Sequence, residues 1–167
     1  MKRRIILFLT ILILLSKVIL AIDFNLVRIA PLNAYDNGDG VEYQISITND
    51  TNISLEGNLS FPIADLTSTL DGNGVGTVFS NLQNSATQTG VGTNTGSFNL
   101  SGNLEVQNFI LGSGGSLVYT VKGQINPDVN GDITVKAVLT SNNGQVVETL
   151  ENTMSRVDYT VDVEKKS

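Results

Sequence analysis

The stretch VEYQISITN, Val41 to Asn49, alternates without a break: Val41, Tyr43, Ile45 and Ile47 are apolar or aromatic, and Glu42, Gln44, Ser46 and Thr48 are polar. A period of two puts the first set on one face of an extended strand and the second on the other. The β-branched and aromatic content suits a pleated, half-buried surface. Three further stretches repeat the pattern. In SLEGNLSFPI, Leu55, Leu59, Phe61 and Ile63 turn inward and Pro62 ends regular pairing. In SLVYTVKGQI the inward set is Leu117, Tyr119, Val121 and Ile125, and in DITVKAVLT it is Ile133, Val135, Ala137 and Leu139. From Asp23 onward no helical period outlasts a single turn. Strands with one apolar face need a second sheet to cover it, so the expected fold is all-β, an antiparallel β-sandwich of about seven to nine strands.

Turn chemistry agrees. Asn130-Gly131 and Asn143-Gly144 each separate two strand-like runs, and Asn-Gly takes the positive φ angles of a tight hairpin. DITVKAVLTS, NNG and QVVETLEN therefore read as strand, turn and strand. YDNGDGVEY, Tyr35 to Tyr43, reads as the turn that feeds the VEYQISITN strand, with Gly38 and Gly40 giving the tight backbone and Asp36 and Asp39 solvating it. Between Asp71 and Ser97 the chain is rich in Gly, Thr, Asn and Ser, with large apolar residues at Val78, Phe79 and Leu82. This is either a long excursion with ragged edge strands or a flexible loop, and it is where binding is most easily grafted.

Residues 1–21 differ from the rest. Lys2, Arg3 and Arg4 precede the apolar run IILFLTILILL, and SKVILA ends in the small Ala21. That is the three-part build of a secretory signal peptide cleaved after Ala21. An uncleaved anchor helix is the alternative, since a membrane span wants about 20 apolar residues. Export is expected either way, to the cell surface, the outer membrane or the medium. Without that segment, sixteen acids face six bases, a net charge of −10 that repels phosphate backbones and sets nucleic acid aside. The membrane is a partner only through the N-terminal segment. The chain has no Cys, so an exported form relies on its core rather than on disulfides.

NFILGSGGSLVYTVKGQINPDVNGDITVKAVLTS, Asn108 to Ser141, together with NGDGVEYQISITND and LEGNLSFPIADL, resembles the bacterial conserved-repeat domain known as domain of unknown function eleven. The resemblance covers residues from Asp23 to about Asn152 and implies an immunoglobulin-like sandwich, 22–152, in an exported surface protein. It also implies a spacer or display role, with neighbouring repeat domains or cell-surface proteins as partners. In the tail, 153–167, Val157, Tyr159, Val161 and Val163 alternate; this is either a terminal strand of the same domain or the start of a following repeat.

The residues that invite chemistry are few. Asp36, Asp39, Asp128 and Asp132 could ligate calcium, but neither YDNGDGVEY nor PDVNGD places oxygen ligands, Gly and Glu at the spacing a helix-loop-helix site demands. No His and no Cys excludes a serine-histidine triad, a cysteine nucleophile and the common zinc sites. Glu42, Glu105 and Glu148 sit at outward strand positions, and there is no Trp on which a sugar could stack. The expectation is a chain that is not an enzyme, with no catalytic, cofactor or metal residues and no cofactor. Tyr43 and Tyr119 read as core residues with a hydroxyl at the rim. Lys122 and Lys136 read as guards of strand edges. The sequons at Asn49, Asn52, Asn58 and Asn99 read as surface polarity in a bacterial chain. The alternative function is ligand binding through residues 71–97.

Overall fold

The computed structural model describes residues 22–157 other than Asn73. Eleven strands are present among them: β1 (Ile22–Ala30), β2 (Gly40–Asn49), β3 (Leu55–Phe61), β4 (Thr67–Thr69), β5 (Val75–Thr77), β6 (Phe79–Thr89), β7 (Ser97–Phe98), β8 (Leu104–Leu111), β9 (Ser116–Ile125), β10 (Ile133–Ser141) and β11 (Val146–Met154). A single 3-10 turn over Ile63–Asp65 follows Pro62, where β3 stops as the proline requires. The all-β expectation holds. The expected strand number is too low, because the polar segment after Leu66 supplies four strands that the apolar pattern does not reveal. The signal peptide or anchor helix lies outside the described residues.

Two antiparallel sheets carry the fold, in the orders β1-β2-β9-β6 and β11-β10-β3-β8-β7, and β4 and β5 form a separate ribbon. The inward sets expected from period two are buried as a group: Val41, Tyr43, Ile45 and Ile47 from β2, Leu117, Tyr119, Val121 and Ile125 from β9, and Ile133, Val135, Ala137 and Leu139 from β10. The sheets meet face to face. Tyr43 of β2 contacts Phe61 of β3 edge-on at 5.6 Å, and Phe98 of β7 contacts Tyr119 of β9 at 5.8 Å. Each such apolar side chain removed from water stabilises the fold by roughly 1.5–3 kcal/mol.

The Asn143-Gly144 hairpin forms as expected. β10 and β11 pair from Ile133↔Met154 to Thr140↔Val146, with Gly144 at φ 80°. Asn130-Gly131 does not make a hairpin. It lies in the connection from β9 to β10, which belong to different sheets, so the same dipeptide turns the chain from one layer to the other. The sandwich thus has two poles. At one, β1 begins and the connections β2–β3, β6–β7, β8–β9 and β10–β11 gather; at the other lie the connections β1–β2, β3–β6 and β9–β10 and the residues after β11.

β11 runs to Met154, and the chain beyond it stays attached: Arg156 bridges Tyr35 in parallel. The rest of the tail, from residue 158, lies outside the described residues.

Candidate functional site

The turn YDNGDGVEY is built by its own side chains. Asp39 Oδ2 accepts from the Asp36 amide at 2.7 Å, Asp36 Oδ1 accepts from the Asn37 amide at 2.8 Å, and the Asp39 amide donates to the Asp36 carbonyl at 3.1 Å. Gly38 donates to the Ile125 carbonyl at 3.1 Å and Ile125 donates to the Asp39 carbonyl at 2.9 Å, which ties the turn to the end of β9. Gly40 opens β2 with ordinary strand backbone, so the tight bend rests on Gly38 alone. Among the described residues no group of three acids is placed to hold a metal ion.

Pattern reading passes over Tyr35, and the structure makes it the hub of this pole. It is fully buried; its hydroxyl donates to the Gly131 carbonyl at 2.6 Å. Its amide donates to the Ser155 carbonyl at 3.0 Å and its carbonyl accepts from Val157 at 2.9 Å. Three separate segments are thereby joined. Burial holds its hydroxyl above the usual tyrosine value, with Asp132 and Asp71 acting the same way and Arg156 opposing them. Arg156 in turn reaches Asp71 at 3.3 Å, which raises its own value.

At the opposite pole the expectation for Asn49 is overturned. It is not surface polarity but fully buried. Its Nδ2 donates to the carbonyls of Ile53 at 2.8 Å, Gly112 at 3.0 Å and Leu111 at 3.2 Å, and its Oδ1 accepts from the Thr51 amide at 2.9 Å. A side chain that uses every donor and acceptor in this way offsets the desolvation cost of its burial. A Cβ on Gly112 would run into the Val91 carbonyl, and one on Gly115 into Thr93 Oγ1. The β6–β7 and β8–β9 connections pack backbone to backbone only because these positions lack a side chain.

The tyrosine expectation holds for the core, and the hydroxyl at the rim fails for Tyr43. Tyr43 packs its hydroxyl against Met154 Sδ at 3.8 Å, inside the sandwich, and burial pushes it up to about 12. Tyr119 donates to the Thr95 carbonyl at 2.6 Å, and burial likewise raises it. Lys122 and Lys136 do not guard edges. They stand on β9 and β10, each flanked by strands on both sides, and pair across the ladder with Glu42 at 3.0 Å and Glu151 at 3.3 Å.

Glu42, Glu105 and Glu148 are not brought together. Glu42 is on the four-stranded sheet, and Glu105 and Glu148 are on the other, with β10 and β3 between their strands. A shallow groove of about 280 Å³ on the outer face of that second sheet is lined by Asn58, Ser60, Glu105, Gln107 and Thr140. Ser60 spends its hydroxyl on Glu105 at 2.8 Å. Of the stretch 71–97, weighed as a binding loop, residues 79–89 are β6, an eleven-residue strand paired with β9 from Phe79↔Ile125 to Thr89↔Ser116. Its polar side chains suit a sheet edge, which is why the apolar period does not announce it. Residues 75–77 are β5, paired with β4, so among the described residues the turns outside these two strands are what remains for that role.

No protein-family model matches the chain, and no curated protein does. Solved structures are similar in fold. They include the family 123 glycoside hydrolase from Clostridium perfringens, at 9% identity and TM-score 0.49 over 83% of this chain and 28% of that one. AvmM, which catalyzes macrocyclization in alchivemycin A biosynthesis, is similar at 9% identity and TM-score 0.43 over 84% of this chain and 92% of that one. The Actinomyces fimbrial adhesin FimA is similar at 13% identity and TM-score 0.40 over 87% of this chain and 53% of that one. The chain thus spans about half the length of the adhesin and little more than a quarter of the hydrolase. These likenesses concern the fold alone. They nevertheless correct the expectation that the chain is not an enzyme, because two of these neighbours are enzymes and the architecture gives no ground for setting catalysis aside.

Proposed function

We propose that this chain is an exported bacterial surface module of immunoglobulin-like fold that spaces or joins neighbouring units. The observation that carries the reading is the placement of the two ends of the sandwich. β1 opens at the Asn49 pole, where Ile22 pairs with Asn49, and the segment after β11 leaves at the Tyr35 pole, where Val157 bonds to Tyr35. Units with entry and exit at opposite poles join head to tail, and each adds its full length to the array.

The immunoglobulin-like part of the reading is supported by strand order. β1-β2-β9-β6 follows the A-B-E-D order and β11-β10-β3 the G-F-C order of that fold. The resemblance to the bacterial conserved-repeat domain is supported by where its segments fall, since the GSGG step makes the crowded β8–β9 turn. Export is supported by the charged, apolar and small-residue order of residues 1–21. Partners on this reading are neighbouring repeat units or other surface proteins met at the poles. Among the described residues no helix is long and apolar enough to cross a membrane.

Two measurements test the proposal. Expression of the full chain in a bacterial host, followed by fractionation and N-terminal sequencing, is expected to yield an exported product beginning at Ile22; a chain retained whole in the cytoplasm overturns export. Small-angle scattering from two head-to-tail copies is expected to give a particle about twice as long as one copy, in line with end-to-end stacking. A compact side-by-side particle overturns the spacer role.

A further inference from the structure

The chain holds four Asn-Gly pairs, beginning at Asn37, Asn73, Asn130 and Asn143. Such a pair is chemically weak, because a glycine nitrogen, with no side chain beside it, can swing onto the Cγ of the asparagine before it. A hydrogen bond from that nitrogen opposes the reaction, since it must open before the nitrogen can turn. Three of the pairs lie among the described residues, and there they differ. Gly38 donates to the Ile125 carbonyl at 3.1 Å and Gly144 to the Ser141 carbonyl at 2.9 Å, so both nitrogens are spent on their turns. Gly131 is exposed to water, and its N–H donates to no group of the protein. A Cβ on Gly131 would meet nothing within 4 Å, so the backbone has room to move.

Asn130 is held without engaging its Nδ2. Its amide donates to the Thr69 carbonyl at 3.0 Å, its carbonyl accepts from Ser68 Oγ at 3.1 Å, and its Oδ1 accepts from Arg156 Nη1 at 3.3 Å. A cation on Oδ1 stabilises the negative charge that appears there when a nitrogen adds to Cγ. We propose that Asn130-Gly131 is a self-modification site, at which the chain closes a succinimide ring and opens it to aspartate or isoaspartate. The Gly131 nitrogen bonds to Cγ, the Cγ–Nδ2 bond breaks, and Nδ2 leaves as ammonia with the Gly131 proton. Water, the one co-reactant, then splits the ring. Opening at Cγ gives aspartate; opening at the backbone carbonyl gives isoaspartate, with the chain rerouted through Cγ and one atom longer. That extra atom falls between two anchors, the Asn130 amide on Thr69 and the Gly131 carbonyl that accepts from the buried Tyr35 hydroxyl at 2.6 Å. Isoaspartate therefore loosens the Tyr35 pole. The site does not depend on the surface-module reading.

The test holds the full chain at mildly alkaline pH, folded and in urea, and follows it by peptide mass mapping. Asn126 precedes Pro127, which has no N–H to attack with, so a mass gain in the tryptic fragment from Gly123 to Lys136 reports Asn130 rather than Asn126. In the folded chain Asn130 is expected to react first, with Asn37 and Asn143 slower by roughly tenfold, the factor set by opening a turn hydrogen bond. In urea the three are expected to react alike. First reaction of the folded chain at Asn37, Asn73 or Asn143 overturns the proposal. The modified fraction carries one more negative charge, separates on anion exchange, and is expected to melt about 3–5 °C lower. Asn130→Gln keeps a side-chain amide but would need a larger, slower-forming ring, so it is expected to hold its midpoint through the same incubation. A midpoint that falls equally in this variant overturns the link to the Tyr35 pole.

Discussion

The hydroxyl of Tyr35 donates to the carbonyl of Gly131 at 2.6 Å, across 96 positions of the chain. The bond closes the Tyr35 pole, because the same residue holds Ser155 and Val157 through its backbone. The β1–β2 connection, the β9–β10 crossing and the end of β11 are thereby fastened at one point.

Tyr35→Phe keeps the buried ring and removes only that bond, so it is expected to cost about 1–2 kcal/mol in urea unfolding. Tyr35→Ala also opens a cavity and is expected to cost about 3–5 kcal/mol. Equal losses for the two variants would mean that the ring contributes nothing, against the packing described.

Asn49→Ala removes one hydrogen bond from each of three carbonyls at the opposite pole and the acceptor of the Thr51 amide, and is expected to cost about 2–4 kcal/mol. Asn58→Ala, a neighbouring sequon on the outer face of β3, is the comparison, with an expected loss of about 0.5–1 kcal/mol. Similar denaturation midpoints for the two would return Asn49 to the surface role that its sequence context suggests.

Gly112→Ala places a methyl group against the Val91 carbonyl, and the resulting overpacking is expected to cost about 3 kcal/mol. Gly40→Ala meets nothing within 4 Å and keeps ordinary strand backbone, so it is expected to be neutral or to stabilise by up to ~1 kcal/mol. Thermal midpoints of the pair distinguish close approach from simple loss of glycine.

Stability should fall in alkali before any backbone chemistry intervenes. Burial raises Tyr43 from 10.0 to about 12, and Tyr119 and Tyr35 are raised as well. A tyrosine whose folded value lies above its unfolded one binds its proton more tightly in the fold. Its contribution is complete below pH ~10 and is lost as pH climbs from there through the folded value. For Tyr43 alone the loss by pH ~12 is on the order of 2 kcal/mol. Absorbance near ~295 nm should show these three hydroxyls ionising together with unfolding. Ionisation of all the tyrosines near pH ~10 with the near-ultraviolet circular dichroism intact would contradict their burial.

The groove beside Ser60 and the turns around β6 show how little of a site the residue pattern could announce. Their side chains are the Asn, Ser, Thr and Gln that also furnish ordinary outer faces, and only pairing tells a strand such as NLQNSATQT from a loop.

The sequence by itself determined the layers. Val41 to Ile47, Leu117 to Val121 and Ile133 to Leu139 alternate with period two, and burying one face of a pleated strand is a local consequence of that spacing. Tertiary structure alone decided the rest. Asn130-Gly131 and Asn143-Gly144 are the same dipeptide, yet one turns between sheets and the other within one, because sheet membership depends on partners far away in the chain. Asn49 and Tyr35 became the fastenings of the two poles for the same reason. A polar group is buried only where distant backbone satisfies it, and Leu111, Gly112 and Gly131 come within reach of those side chains only once the sandwich has closed.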